Sequence, residues 1–425
     1  MTNKKIKILA ISDDIRLKTG VGIQCKKILT GLVKTGKYDI VEMGGSLQVT
    51  KPDTVDGVKI YPTESYGNPY HVSQVMAVEK PDIVFAFSDP RFFQYLFAMD
   101  DEIRAYSKLV FYHTWDNDPF PKFNLPFYEA CDGIVMISEF SYKLMSSNGV
   151  KCDHIPHMQD PKEFYPLPDQ EVADERKKLA NLVGKQDVDF IIFFNGRNLD
   201  RKRPGDLINI FNKFYETHPN SLFLLNTKMI DIEGTNLYQL QEDFLEGSIP
   251  IVFNYSGVDT ALLNKFYNVA DVTINIPYNE GFGLCVSESL LAGTPVIASK
   301  TGGMPEQMSR VAHYEAVETE TVCRPHCAET EVYGILIPPA VRNLFGVIDQ
   351  AYIYKDFVSD EQVLHALDMA YQLKQANELK ALGLKGRQHV IDKYNEATLI
   401  EQWDNYFTKI YEAPSTFSKC KVVKI

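Results

Sequence analysis

Several things are scarce in this chain of 425 residues, and each scarcity removes a class of protein. Its seven cysteines are odd in number and scattered, so they read as reduced thiols rather than a disulfide framework. No apolar run approaches the roughly 20 residues needed to cross a bilayer; FIIFF and SLFLL are strand-sized. The opening MTNKKIKILAISDD lacks an extended apolar stretch ahead of a cleavage site, so it does not read as a secretory leader, and a cytoplasmic setting is expected. Basic residues are outnumbered 44 to 56, a formal net charge of −12, which argues against a protein that coats nucleic acid or anionic lipid. A small local basic site is still compatible with that balance. There is no G-x-S-x-G elbow to support a serine hydrolase, and no short internal repeat.

What is present is apolar and aromatic: 45% of residues are hydrophobic and 12% aromatic, enough for large cores. The length exceeds what one core ordinarily organises, so two domains are expected. Strand-like runs open the chain at KKIKILAIS and recur as IVEMG, PDIVFAFS, KLVFYHT, DGIVMIS and CDHIPH, with helical patterns between most of them. Their continuous rather than alternating apolarity suits strands buried on both faces of a parallel sheet, and strand–helix repetition is the α/β pattern. Around Asp160 to Asp187 the pattern breaks at FYPLPDQ and a charged helix, which reads as a connection between domains. A second α/β series follows: DFIIFFNG, SLFLLNTK, PIVFNYS, DVTINIP, TPVIASK and GILIPP. Met304 to Val332 reads as a weakly patterned insertion, and the chain after Ser359 as helical. Residues 1–165 carry 19 Lys plus Arg against 21 Asp plus Glu, leaving 25 against 35 for the remainder, so most of the acidity lies in the second half.

The richest stretch chemically is YNEGFGLCVSESLLAGTPVIASKTGGMPE, Tyr278 to Glu306. Glu280 stands at the carboxyl end of the strand DVTINIP, Gly281 and Gly283 flank Phe282, and a helix is expected from about Leu284. Small residues let a ligand approach the backbone, and amides at a helix start favour an anion such as a diphosphate. Glu288, one turn into that helix, leans back toward the same place. Carboxylates beside a diphosphate should face neutral hydroxyls. Diols on both sides of a phosphate bridge describe a nucleotide sugar.

Cations sit in GRNLDRKRP: Arg197 after a strand, then Arg201, Lys202 and Arg203 before a helix that Pro204 can start. Four cations in seven residues would neutralise a diphosphate, the alternative being an exposed charged turn. In the first half, Gly20 and Gly22 in TGVG either present amides to a ligand or simply turn strand into helix. His113 ends a buried strand, as a ligand or as a structural residue, and Asp116 and Asp118 either read an acceptor or cap their loop. Two motifs are set aside. Gly31 to Tyr38 resembles a P-loop until Tyr38 takes the Ser/Thr position, and it follows a helix, so it reads as a helix end. Cys323, Cys327, His313 and His326 have no standard zinc spacing.

Together these residues resemble the family-4 retaining glycosyltransferases of the GT-B fold. The likeness rests on the E-x7-E pair Glu280 and Glu288, the A-G-T-P-V-I run, the G-G-x-P-E close and GRNLDRK. IPHMQDPKEFYP is similar to the family's interdomain segment, with His157 and Met158 in place of the usual Asn and Gly. The likeness is strong in the second half and looser in the first. It implies two Rossmann-like domains facing a cleft: residues 1–166 on the acceptor side, 187–395 binding the nucleotide sugar, and 396–425 as a helix crossing back.

The resemblance also implies roles. Glu280 contacts donor-sugar hydroxyls, with the Phe282, Gly283 and Leu284 backbone on sugar and phosphate, and Glu288 holds the ribose diol. Arg197 and Lys202 clamp the diphosphate, Gly20 to Gly22 approach the phosphate from the other domain, and His113 lies near the reacting sugar. No metal or other cofactor is expected, since cations and helix amides replace it. The expected activity is retaining, metal-independent transfer of a hexose from a UDP- or GDP-linked sugar to a hydroxyl acceptor, a saccharide or glycoconjugate. The alternatives are a GT-B enzyme acting on a nucleic-acid base or a lipid-linked acceptor, and a catalytically idle GT-B scaffold. Oligomeric state stays open.

Overall fold

The computed structural model describes residues 4–47, 51–245, 249–254, 257–310 and 332–414. Contacts divide the chain into two units: Met1–Met158 with Gly346–Ile353 and Glu396–Ile425, and Gln159–Phe345 with Tyr354–Asn395.

The first unit is built on eight strands: β1 (Ile6–Asp13), β2 (Tyr38–Gly45), β3 (Asp53–Val55), β4 (Val58–Pro62), β5 (Ile83–Ser88), β6 (Lys108–His113), β7 (Gly133–Met136) and β8 (Asp153–His154). Their order among the described residues is β3-β4-β2-β1-β5-β6-β7-β8, with only the β3–β4 pair antiparallel. β5 is buried at all six positions, as its unbroken apolar run requires. The helix Glu396–Glu412 belongs to this unit. Its buried Leu399, Trp403, Tyr406, Phe407 and Ile410 form one helical stripe, and Trp403 meets Phe85 and Tyr112 edge-on at 5.5 and 4.9 Å. Asp404 accepts from Tyr38 Oη at 2.7 Å at the same contact.

The second unit's sheet comprises β9 (Phe190–Asn195), β10 (Ser221–Asn226), β11 (Ile251–Asn254), β12 (Val272–Asn275), β13 (Val296–Ser299) and β14 (Ile335–Ile337). Their order, β11-β10-β9-β12-β13-β14, is all parallel. The chain reverses its direction of travel across the sheet between β9 and β12. Ligands of such sheets bind outside the carboxyl ends of the strands at that switch point. Both β9 and β12 therefore aim their following loops at one place.

Four features depart from the sequence reading. The charged helix Asp169–Leu182 is part of the second unit rather than a connection, because Arg176 donates to the carbonyls of Val269, Val188 and Asp189 and to Asp271 at 2.8–3.1 Å. The contacts divide the chain at Gln159, before the break in pattern rather than within it. A two-stranded sheet, β15 (Val341–Val347) and β16 (Gln350–Phe357), precedes the closing helices and was not legible, since every residue of β15 is exposed and no burial pattern marks it. Of the stretch Met304 to Val332, Pro305–Met308 is helical and Ser309 bridges to Val332, while 311–331 lie outside the described residues, as do His313, Cys323, His326 and Cys327. The P-loop look-alike is a helix end: the helix Gly20–Lys34 runs through Gly31 and is capped by Thr35. Among the described residues no helix is long and apolar enough to cross a membrane.

The helix Leu379–Lys393 packs through Gly386 on Leu290 of the helix Leu284–Leu291, and through Gly383 on the loop that follows that helix. A Cβ there would lie 2.2 Å from the Gly293 carbonyl oxygen and 2.8 Å from Pro295 Cδ, atoms that cannot rotate away. Gly383→Ala should therefore destabilise by about 1–3 kcal/mol despite alanine's better helix propensity, as read by urea unfolding; a stabilised variant would contradict this packing.

Candidate active site

Residue by residue, the carboxyl end of β12 builds the site. After Asn275 the chain turns through Pro277 and Tyr278 to Glu280, whose side chain is buried. The Glu280 carboxylate accepts from Arg201 Nη1 at 2.9 Å and from Lys202 Nζ, both carried by the loop that follows β9. Burial pushes this carboxyl up, but the Lys202 and Arg201 charges prevail and hold it at about 2. Arg201 also donates to the Asn279 carbonyl at 3.0 Å, which ties the two loops together.

Gly283 follows with φ +86°, and the helix Leu284–Leu291 starts from it. The left-handed backbone suits glycine, and a Cβ would sit 3.1 Å from Met304 Cγ and 3.2 Å from Glu280 Cγ. Phe282 is buried edge-on against Tyr394 at 5.4 Å, and its carbonyl accepts from Gln307 Nε2. The first-turn amides of such a helix have no intrahelical acceptor and favour an anion. One turn in, Glu288 is buried and accepts from Tyr267 Oη at 2.7 Å. Burial, and the adjacent Glu288, raise the Tyr267 phenol well above its ordinary value, so it remains a donor.

The four cations of GRNLDRKRP do not act together. Lys202 and Arg201 converge on Glu280, whereas Arg203 is buried, donating to Asp206 at 2.6 Å and to the Val358 carbonyl at 3.2 Å. Arg197 is half-exposed and turned to an acidic pair, donating to Asp231 at 2.8 and 2.9 Å and to Glu233 at 3.1 Å. Its hydrogen bonds bring Asp231 down to about 2. The expectation that Glu280 faces only neutral groups also fails for the ligand-free chain. A desolvated carboxylate needs countercharge, and the nearest cations supply it.

In the first unit, Thr19 caps the helix Gly20–Lys34 and accepts from the Gly22 amide at 3.0 Å, so that amide is already engaged; Gly20 is the exposed first residue of the helix. His113 ends β6 fully buried, its Nε2 2.9 Å from Tyr128 Oη and its Nδ1 without a hydrogen-bond partner. Burial lowers the imidazole to about 3, against a smaller opposing pull from Asp89.

Residues 175–324 match the family described as "Glycosyl transferases group 1", a span that includes Arg197, Arg201, Lys202, Glu280 and Glu288. That span, about a third of the chain, is similar to the group 1 glycosyl transferases. The trehalose synthase of Pyrococcus horikoshii is 27% identical over 226 residues, 50% of this chain and 52% of that protein. The chain thus matches about half the length of that curated relative. Among solved structures, sucrose-phosphate synthase from Thermosynechococcus elongatus is similar with a TM-score of 0.70 at 15% identity, covering 96% of this chain and 100% of that one. HepE of Anabaena in complex with UDP-glucose is similar with a TM-score of 0.66 at 14% identity, covering 95% and 100%. These likenesses establish the fold of the chain, that of the GT-B enzymes.

Sequence reasoning missed Arg201 as the partner of Glu280 and Tyr267 as the partner of Glu288. Tyr267 sits in LLNKFYNV and reads there as one more core aromatic. A usable signal was present elsewhere: FFN, LLN and VFN place an asparagine at the end of three successive strands, Asn195, Asn226 and Asn254.

Two pH dependences follow from the signs above. Glu280 is held below its ordinary value of 4.5, so its stabilisation is complete above that pH and is lost as pH falls toward 2. Lys202→Met should cost about 2–4 kcal/mol near neutrality, with the gap from wild type closing between pH 4.5 and 2 in urea titrations. His113 is depressed from 6.5 to about 3, so its unfolded form takes a proton first and stability falls as pH drops below 6.5. That slope, about 1.4 kcal/mol per pH unit, should vanish in His113→Phe.

Proposed function

We propose that this protein is a glycosyl transferase that moves a hexose from a UDP- or GDP-linked sugar to a hydroxyl acceptor, a saccharide or glycoconjugate, with retention at the anomeric carbon. What carries the reading is one arrangement: two buried carboxylates, Glu280 and Glu288, on either side of the glycine-initiated helix start at Gly283, with Lys202 and Arg201 beside the first. A diphosphate occupies the helix start and draws on Lys202 and Arg201. Glu280, relieved of part of its countercharge, accepts from sugar hydroxyls, and Glu288 accepts from the ribose. Retention is in keeping with the group 1 family.

In the transfer, the bond from the anomeric carbon to the diphosphate oxygen breaks and its electron pair leaves with the diphosphate. The acceptor oxygen bonds to the same face of that carbon, and its proton passes to the departing phosphate oxygen. The dominant stabilisation is of charge accumulating on the diphosphate, from Lys202, Arg201 and the helix amides of Leu284 and its neighbours. Arg197 joins the clamp by exchanging Asp231 and Glu233 for phosphate oxygens. His113, when it acts, does so as a neutral imidazole.

Release of UDP or GDP from a panel of UDP- and GDP-sugars checks the reading. Lys202→Ala and Glu280→Gln should each lower turnover by about 10²–10³, and Arg197→Ala should weaken nucleoside diphosphate binding. Wild-type turnover in both of the first two variants would sink the assignment.

A further inference from the structure

The side chain of Glu288 is the last member of a hydrogen-bond chain, partly buried at the asparagines and buried at its end, that crosses three strands. Asn254 Nδ2 donates to Asn226 Oδ1 at 2.7 Å, Asn226 Nδ2 to Asn195 Oδ1 at 2.8 Å, Asn195 Nδ2 to Tyr267 Oη at 2.8 Å, and Tyr267 Oη to Glu288 Oε2 at 2.7 Å. The three asparagines are the terminal residues of β11, β10 and β9 and are paired in parallel register, Asn226 opposite both Asn195 and Asn254. All four donors point the same way, toward the carboxylate.

We infer that Tyr267, backed by the ladder of Asn195, Asn226 and Asn254, is the positioning residue that orients Glu288 for a ribose diol and thereby gives the enzyme its preference for ribonucleotide donors. This rests on the reading of Glu288 as the ribose contact.

The physical grounds are three. First, asparagine is a poor strand residue, and three in register at half-buried strand ends cost conformational preference that a β-branched residue would not. A same-direction chain recovers that cost, because each bond polarises the next and the charge at its end strengthens all of them. Second, packing alone does not require the hydroxyl. The Tyr267 ring meets Phe193 at 5.1 Å and Phe164 at 5.8 Å, contacts that phenylalanine would make equally. The hydroxyl is spent on Asn195 and Glu288. Third, the backbone that carries the ring is itself pinned, since Thr294 Oγ1 donates to the Tyr267 carbonyl at 2.7 Å. The tyrosine therefore transmits a fixed position to one oxygen of a carboxylate carried on a different helix.

Isothermal titration with UDP, GDP and their 2′-deoxy counterparts tests this in Tyr267→Phe, Asn226→Ala and Glu288→Gln. Wild type should bind the better ribonucleotide about tenfold or more tightly than its deoxy form, one charge-assisted hydrogen bond's worth. Tyr267→Phe should lose most of that ratio by weakening only the ribo form, approaching Glu288→Gln, and Asn226→Ala should fall between. Thermal melting confirms that each variant is folded, and Asn226→Ala serves as the second reporter if Tyr267→Phe is not. An unchanged ratio in folded Tyr267→Phe, or equal weakening of both forms, overturns the inference while a collapsed ratio in Glu288→Gln keeps the donor reading. An unchanged ratio in Glu288→Gln, or no binding of any of the four nucleotides to wild type, overturns that reading and the inference with it.

Discussion

A carboxylate removed from water at the end of a parallel sheet is the constraint around which the second unit is arranged. Glu280 cannot remain ionised there without countercharge, and Lys202 and Arg201 provide it from the neighbouring strand's loop. That ion pair joins the loops after β9 and β12, the two strands on either side of the switch point. It therefore determines where the cations stand before any ligand arrives. The same countercharge is what a diphosphate would claim, so stability in the free protein and charge stabilisation of a leaving group draw on the same side chains.

Around this pair the packing is close and mostly polar-satisfied. Gly283 is confined between Met304 and Glu280, and the Gly303 amide donates to the Glu280 carbonyl at 3.1 Å. Asp356 on β16 is buried, accepts from Thr301 Oγ1 at 2.6 Å and from Arg342 Nε at 2.7 Å, and its amide donates to the Tyr278 carbonyl at 2.8 Å. The foot of β16 is thus a brace for the loop that presents Glu280. On the other flank Tyr267 fixes Glu288. Each carboxylate is held by a different kind of partner: cations for one, a phenol that itself accepts from an asparagine amide for the other. The difference matters chemically, since cations can be surrendered to a phosphate and a neutral hydrogen-bond chain cannot.

Local patterning carried much of the fold. Unbroken apolar runs such as FIIFF and IVFAF marked strands that proved buried on both faces, and Gly283 and Pro204 stood where helices begin. Glu280 and Glu288 were legible because their spacing around a glycine-rich helix start has a chemical meaning by itself. The helix Asp169–Leu182 was misplaced because its attachment is mostly polar, through Arg176 to the carbonyls of Val188, Asp189 and Val269 and through Glu171 and Glu175 to Lys265, and leaves no apolar stripe to read. The strand β15 was invisible because exposed residues carry no hydrophobic signal.

By itself, then, the sequence determined two α/β series, the glycine-initiated helix and the pair of glutamates, since these follow from apolar periodicity, backbone freedom and residue spacing over short stretches. Tertiary structure alone decided which cations face which carboxylates. It divided four neighbouring basic residues among three destinations and joined Tyr267 and three strand-end asparagines to Glu288. Side-chain pairing depends on which loops the sheet order makes adjacent, and that adjacency is set by long-range strand pairing rather than by neighbours in the chain.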